Sequence, residues 1–491
     1  MAKPNQKTTK RNNPESRQRG FVARTAETIL RGIGSKKFLY ATLIWFVFSA
    51  GFIAMTTSRA VAPDETAHLS RVKIYAEGGV TPFIHQTEAT YYLGAVEQQP
   101  NYLFHYVMSM PYRFMPDAWS PNTKIVLLRL INMVFVLCGL VVFSRTVRRL
   151  TRSTLVQNLS VFMLSNTLMF VFLAGVLNYD NLFFLTTCVA FYYLVKLLQK
   201  FSLQDFLKLG IAVAIALLTK FTFVPLAVMF AIVLIVRYCR ELRSVWQTSK
   251  TEIKEYRKPL IILAILFALV FGFFAERYVG NFIKYGSYRP KCENVLGHEK
   301  CLSSALYRRN LSFKDKEVTQ KIPNEQFVAK WMLRTKETIF GIMGHHSLAQ
   351  APLIKYGSLV VIAVMLFAFV RTVSPRDSTM FYLIAIILMY VGALIIHNHN
   401  LFQRSQIFGM ALQGRYIFPV LGMIYFVGNF FVERLMRKNR VAYASYALFV
   451  VVLFFASALP AYIYVTSSIW FMPSAEPFVH QIQLVLRAIL P

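Results

Sequence analysis

The stretch FLYATLIWFVFSAGFIAMTT, residues 38–57, is twenty residues long and carries no charge. An α-helix of that length rises about 30 Å, the thickness of a bilayer's hydrocarbon core. Comparable apolar runs recur at about 125–144, 156–176, 182–199, 207–220, 222–236, 259–279, 353–371, 379–396, 416–432 and 442–465. The expected architecture is therefore an all-α integral membrane protein of about eleven transmembrane helices, with two extracytoplasmic segments that carry interfacial helices. Composition agrees. Hydrophobic residues make up 56% of the 491-residue chain, charged residues 16%, and the mean hydropathy is +0.45, whereas about a quarter of an average soluble chain is charged.

Working outward from the first run, residues 1–37 hold ten Lys/Arg and two acids with no long apolar stretch. They predict a disordered, basic cytoplasmic arm. The net charge of +31 does not point to nucleic acid, because the basic residues form no single patch on a soluble fold. They cluster between apolar runs instead: Arg145, Arg148, Arg149 and Arg152; Lys196, Lys200 and Lys208; Arg434, Arg437, Lys438 and Arg440. With the N-terminus inside, every such cluster between closely spaced spans falls on the same side, as the positive-inside rule requires. The layout that follows is membrane helices over 38–279, interrupted by a first extracytoplasmic segment at 58–124. A second extracytoplasmic segment covers 280–352, further membrane helices 353–466, and an extracytoplasmic tail 467–491. The expected location is the cytoplasmic membrane, crossed many times, with the N-terminus cytoplasmic and the C-terminus extracytoplasmic.

The unbroken run 207–236 is too long for one untilted helix and is interrupted by Thr219-Lys220-Phe221-Thr222-Phe223-Val224-Pro225. Two short helices meeting near the outer surface are expected there. Cys292 and Cys301 bracket a polar stretch of the second outer segment, where an oxidising compartment permits a disulfide; a metal pair completed by His298 is the alternative. Between Lys284 and Lys336 that segment holds twelve Lys/Arg against five acids, an excess that attracts polyanions or lipid headgroups.

Chemistry-bearing residues collect at the outer ends of the predicted spans. Pro63-Asp64-Glu65-Thr66-Ala67-His68 follows the first run directly, with Pro63 suited to the first position of a helix and the acids to its positive end. On that helix Asp64, His68, Arg71 and Tyr75 would share one face. Gln99-Pro100-Asn101-Tyr102 leads into an aromatic stretch ending near Pro111 that fits an interfacial helix. Asn178-Tyr179-Asp180-Asn181 joins two spans and reads equally well as a plain turn. Lys220 lies in the broken helix pair, where a lysine snorkels, lines a cavity or meets an anion. Gln413-Gly414-Arg415-Tyr416 enters a later span from outside, where Arg415 could also serve only as a headgroup anchor.

Five motifs in this order, namely Pro63-Asp64-Glu65-x-x-His68, Gln99-Pro100-x-Tyr102, Asn178-x-Asp180, Leu218-Thr219-Lys220-Phe221 and Gln413-Gly414-Arg415-Tyr416, resemble GT-C-type membrane glycosyltransferases. That class includes protein O-mannosyltransferases and lipid A aminoarabinose transferases. The first and last motifs are most similar to the bacterial membrane proteins catalogued as domain of unknown function 2142, although the usual Pro-Pro near the interfacial helix is Pro100-Asn101 here. The resemblance, over about residues 38–465, implies transfer of a polyprenyl-phosphate-linked sugar to an envelope glycan, glycolipid or protein acceptor. It implies Asp64 and Glu65 as catalytic carboxylates, with Lys220 and Arg415 binding the donor phosphate. His68, Asp180 and Gln413 would orient the acceptor or hold a metal; no cofactor is implied with certainty, and a divalent metal stays open. Two other readings remain: a lipid or polysaccharide transporter or flippase, and a non-catalytic scaffold for envelope assembly.

Overall fold

The computed structural model describes residues 14–59, 61–313, 322–344, 346–350, 352–374, 377–410 and 412–489. Residues 1–13 of the basic arm, and Lys314, Lys316 and Lys321 of the second outer segment, lie outside the described residues.

Among the described residues the protein is all-α apart from one two-stranded hairpin and an isolated bridge between Thr57 and Phe471. Helices α1 (Pro14–Ile33) and α2 (Lys36–Thr56) lead to α3 (Glu65–Glu77), α4 (Leu103–Arg113) and α5 (Pro121–Leu150). There follow α6 (Thr154–Ser165), α7 (Leu168–Ala174), α8 (Asp180–Gln199), α9 (Leu203–Thr219), α10 (Val224–Tyr238), α11 (Leu242–Glu255) and α12 (Arg257–Tyr285). Next come α13 (Cys292–Leu296), α14 (His298–Cys301), α15 (Ala305–Leu311), α16 (Asn324–Phe340) and an antiparallel hairpin of β1 (Ile342–Met343) with β2 (Ser347–Leu348). The chain ends in α17 (Pro352–Thr372), α18 (Ser378–Ser405), α19 (Phe418–Met436), α20 (Arg440–Ser457), α21 (Leu459–Val465) and α22 (Glu476–Ile489).

Among the described residues nine helices are long and apolar enough to cross a membrane, and a tenth crossing arises if α6 and α7, bent by 67° at their break, act as one. Helix α9, at 17 residues, is the remaining member of the eleven expected. Three expectations need correction. The arm is not disordered throughout, because Pro14–Ile33 is a helix whose Ala26, Leu30 and Ile33 are buried. These lie at i, i+4 and i+7 and pack against α20 and α6, which supplies the apolar contact that offsets the cost of ordering a basic segment. The 156–176 run is bent at Asn166 and Thr167, which interrupt it. Buried Asn166 is satisfied by Trp45 (Nε1 to Oδ1, 3.1 Å) and by the carbonyl of Phe162, and Thr167 by Tyr425 and the carbonyl of Met163. The 442–465 run likewise divides, at Ala458, into α20 and α21.

Packing follows the chain. Helix α5 lies on α8, α8 on α9 and α9 on α12, while α19 packs on α6 and α17, and α3 on α4. Helices α6 to α8 form the centre: almost every residue of α6 and all of α7 are buried. The basic clusters lie at one end of the bundle, where Arg434 pairs with Asp377, and Lys196 with Asp205 at 2.6 Å. The opposite end carries α3, α4 and the described residues of 280–352.

That end is tied to the bundle by a buried ion pair. Arg129 lies in the apolar run of α5, fully buried. Its Nε and Nη2 grip the two oxygens of Glu65 at 2.8 and 2.6 Å, and its Nη1 donates to the carbonyls of Ala54 (3.0 Å) and Thr57 (2.7 Å). The Leu177 amide donates to the same carboxylate at 2.7 Å. The Arg129–Glu65 pair thus joins α5 to the end of α2, the start of α3 and the residues that follow α7. Leaving either charge buried without its partner costs ~3–5 kcal/mol, whereas a hydrophobic pair of similar volume is often neutral. Arg129→Gln should therefore lower the melting temperature in detergent sharply, and the Arg129→Met/Glu65→Leu pair should recover most of it. An Arg129→Gln protein melting with the parent would contradict this role.

Candidate active site

Four segments far apart in sequence meet at the end of the bundle opposite the basic clusters. The first is the turn before α3. The helix starts at Glu65 rather than at Pro63, and Asp64 precedes it in the left-handed region (φ 59°) without capping the helix with its side chain. A non-glycine residue held there costs about 1–2 kcal/mol. The consequence is that the carboxylate is aimed at Arg415, whose Nη2 lies 2.7 Å from Asp64 Oδ2. Asp64 is half exposed, and the Arg415 side chain is only 3% exposed. The Asp64 turn is covered by the hairpin loop: a Cβ at Gly344 would stand 2.6 Å from the Val61 carbonyl.

The second segment is the Asn178–Asp180 turn. Asn178 Oδ1 accepts the Asp180 amide at 2.9 Å, and its Nδ2 donates to the Pro63 carbonyl at 3.4 Å. The turn that favours Asn and Asp therefore also clasps the Asp64 loop. Asp180, the first residue of α8, is buried between two cations: Lys220 pairs with its Oδ1, and Arg415 Nε stands 3.8 Å from its Oδ2. Lys220 comes from the break between α9 and α10, as expected, with extended backbone (φ −154°). Its ammonium lies 4.5 Å from the Tyr179 ring centroid and 4.9 Å from that of Tyr416, so two ring faces contribute to holding the charge.

Arg415 is fixed by the turn that carries it. The Gly414 amide donates to Thr338 Oγ1 of α16 at 2.8 Å, and a Cβ at Gly414 would lie 2.6 Å from the Ile339 nitrogen. No larger residue fits without moving α16. Arg415 Nη1 and Asp180 Oδ2 are buried without a hydrogen-bond partner among the described residues. Buried polar atoms of this kind are few in folded proteins and each calls for a cause, such as a missing ligand.

Helices α3 and α4 supply a histidine pair. His68 Nδ1 and His105 Nε2 share a hydrogen bond of 2.9 Å, and His68 stands edge-on to Tyr179 with ring centroids 4.8 Å apart. His68 Nε2 and His105 Nδ1 are buried without partners among the described residues. Burial holds both well below their usual range; nearby Arg71, Arg415 and Lys220 push His68 further down, and His68 and Arg71 do so for His105.

Beside this cluster lies a cavity of about 180 Å³ whose walls include Asn101, Tyr179, Lys220, Arg289, His397 and Tyr416. The Glu97–Tyr102 strap that brings Asn101 is pinned by α12. Arg277 donates to the Glu97 carbonyl, and Asn281 Nδ2 to the Gln98 carbonyl at 3.0 Å. Arg71 and Arg289 are close enough to interact electrostatically with each other, and Arg71 with Asp64. Lys220 and Arg289 are the cations among the cavity walls, and Asp180 stands between Lys220 and Arg415. Walls with two cations and, among the described residues, no carboxylate suit an anion such as a phosphate ester.

Asp64, His68, Asp180, Lys220 and Arg415 therefore converge. Glu65 does not join them: contrary to expectation it is no free carboxylate, because Arg129 and the Leu177 amide occupy both its oxygens. Gln413 precedes Arg415 with its side-chain oxygen buried and without a partner among the described residues. Arg289 also lines the cavity. It sits in a basic outer segment with no local pattern to mark it, a few residues before the Cys292–Cys301 disulfide, which is formed. Among the described residues no group of three or more His, Cys, Asp or Glu side chains is placed to hold a metal ion. The donor set at Asp180 fits a cation poorly, since Lys220 and Arg415 already flank the carboxylate.

Residues 122–273 match the family model of dolichyl-phosphate-mannose-protein mannosyltransferases. This stretch runs from α5 to α12 and contains Asp180 and Lys220. The match supports a membrane glycosyltransferase of the GT-C type. No curated protein matches the chain.

The histidine pair sets a pH dependence. A histidine kept neutral by the fold binds fewer protons than in the unfolded chain below its ordinary value of 6.5, so stability must fall as pH drops below that value. We expect the melting temperature in detergent to fall between pH 7.5 and 5.5, with a shallower slope in a His68→Gln/His105→Gln protein. An equal slope in both would contradict the assignment.

Proposed function

We propose that the protein transfers a sugar from a polyprenyl-phosphate carrier to a hydroxyl-bearing envelope acceptor, at the extracytoplasmic face of the cytoplasmic membrane. The observation that carries this reading is the half-exposed Asp64 at the edge of a buried Lys220/Asp180/Arg415 cluster, next to a cavity with cationic walls. The family match over 122–273 supports the reaction class. The pairing of Pro63-Asp64-Glu65-x-x-His68 with Gln413-Gly414-Arg415-Tyr416 supports a place beside the bacterial proteins of domain of unknown function 2142. The basic clusters at the opposite end of the bundle support a cytoplasmic N-terminus, and hence an extracytoplasmic site and C-terminus.

In this scheme the donor phosphate enters the cavity against Lys220 and Arg289 and draws Arg415 away from Asp64. The carboxylate, released from its ion pair, becomes a better base. It takes the proton of the acceptor hydroxyl as that oxygen bonds to the anomeric carbon from the face opposite the phosphate. The bond between the anomeric carbon and the phosphate oxygen breaks, the configuration inverts, and the added negative charge on the departing lipid phosphate is met by Lys220, Arg289 and Arg415. Asp180 is a positioning residue, holding Lys220 and Arg415 in place before the donor arrives. His68 and Gln413 orient the acceptor. Transport is the weaker reading, since it calls for charged groups near the bilayer midplane and these collect at one end of the bundle. A scaffold gains no support from a base paired so closely with phosphate-binding cations.

The test uses the full-length protein in liposomes with labelled polyprenyl-phosphoryl sugars and envelope fractions as acceptor. Asp64→Asn should reduce turnover roughly 10²–10⁴-fold without weakening donor binding. Lys220→Ala and Arg415→Ala should raise the donor KM. Full turnover in Asp64→Asn would remove Asp64 as the base, and unchanged donor affinity in both alanine variants would remove the phosphate role.

A further inference from the structure

A second polar cavity, of about 330 Å³, lies on the far side of the Gly414 turn, between α16, the β1–β2 hairpin and the start of α17. Arg334, Glu337, Thr338, Gln350 and Lys355 are among the residues that line it. Thr338, which receives the Gly414 amide, is shared between this wall and the turn that carries Arg415. The cavity nonetheless has no lining residue in common with the one beside Lys220.

Three features point to its occupant. First, the charge is cationic: Arg334 is paired with Glu337 at 3.2 Å, while Lys355 adds a second cation and Lys336, donating to the Lys355 carbonyl at 3.0 Å, a third behind it. Second, Gln350 donates from Nε2 to the Lys336 carbonyl at 2.9 Å, and its Oε1 is buried without a hydrogen-bond partner among the described residues. That oxygen accepts only, so it calls for a hydroxyl or N–H on the ligand. Third, Lys355 stands in the first turn of a candidate span, Leu353–Thr372. Leu359, Ile362 and Leu366 follow it at i+4, i+7 and i+11, all exposed on the same helix face. A cationic pocket at headgroup level therefore continues into an apolar track running along the membrane helix.

We propose that this cavity binds an anionic phospholipid with a hydroxylated headgroup, such as phosphatidylglycerol. Its phosphate lies between Arg334 and Lys355, its glycerol hydroxyl reaches Gln350, and one acyl chain runs along Leu359, Ile362 and Leu366. The same phosphate chemistry could be met by a soluble polyol phosphate, but only a lipid uses the apolar track.

The test is photocrosslinking of the full-length protein in nanodiscs with a diazirine-tailed phosphatidylglycerol, and with the corresponding phosphatidylcholine as control. Phosphatidylglycerol should label the peptide containing Leu359–Leu366, and an Arg334→Gln/Lys355→Gln protein should lose that label roughly tenfold. An Arg334→Lys/Lys355→Arg protein should keep it, and glycerol 3-phosphate should not displace it. Both altered side chains are partly or largely exposed, so the variants should fold, which their melting temperatures will show. Equal labelling by phosphatidylcholine, or equal labelling of the glutamine variant, would overturn the site. Displacement by glycerol 3-phosphate at the lipid's own concentration would overturn the lipid assignment in favour of a free phosphate. Failure of either kind leaves the glycosyl-transfer reading untouched, because none of these residues lines the cavity beside Lys220.

Discussion

Asp180 is a single carboxylate buried between Lys220 and Arg415, and the arrangement at this end of the protein depends on it. Two cations buried side by side would repel each other and lose their hydration, a cost of several kcal/mol per ion. The carboxylate offsets that cost, and the rings of Tyr179 and Tyr416 add to it. The three charged residues come from the start of α8, the α9/α10 break and the turn before α19, so the ion cluster also fixes how these helices meet. Arg415 then has a guanidinium edge left to reach Asp64, which ties the first outer segment to the bundle core.

The arrangement is asymmetric in a way that suits group transfer. Asp180 is sealed, while Asp64 is half exposed; the two carboxylates therefore have different tasks available to them. The sealed one holds cations in place. The exposed one can exchange a proton with a ligand. In the proposed scheme the Lys220 and Arg289 walls of the cavity attract a phosphate before any chemistry occurs, and a ligand that takes over Arg415 would release Asp64 at that moment. On that proposal, binding and activation of the base are coupled through one guanidinium.

Much of this was legible in the sequence, and the reasons it was not entirely so are physical. Apolar runs bounded by basic clusters identify the spans because the bilayer permits few alternatives. Lys220 stood out because a lysine in an apolar run must find an anion, a cavity or the interface, and here it finds Asp180. The Cys292 and Cys301 pair was readable for a similar reason, two thiols bracketing a short polar loop. Glu65 misled because adjacency in sequence does not fix direction: Asp64 lies before the helix in the left-handed region and reaches Arg415, whereas Glu65 opens α3 and reaches Arg129 of α5. The signal that could have corrected this was Arg129, a charge in an apolar run that requires a partner. The helix of residues 14–33 was hidden by its charge, although Ala26, Leu30 and Ile33 repeat at helical spacing. Arg289 carried no signal, since its place beside Phe221 and His397 comes from tertiary packing alone.

Everything in the proposed reaction turns on where a lipid phosphate sits relative to Asp64. The most direct test is an experimental structure of the full-length protein bound to a non-cleavable polyprenyl phosphonate sugar. The account predicts the phosphonate against Lys220 and Arg289, Arg415 turned toward it, and the anomeric carbon within reach of a hydroxyl held by Asp64. A phosphonate bound elsewhere on the protein, with the Asp64 and Arg415 pair undisturbed, would contradict it.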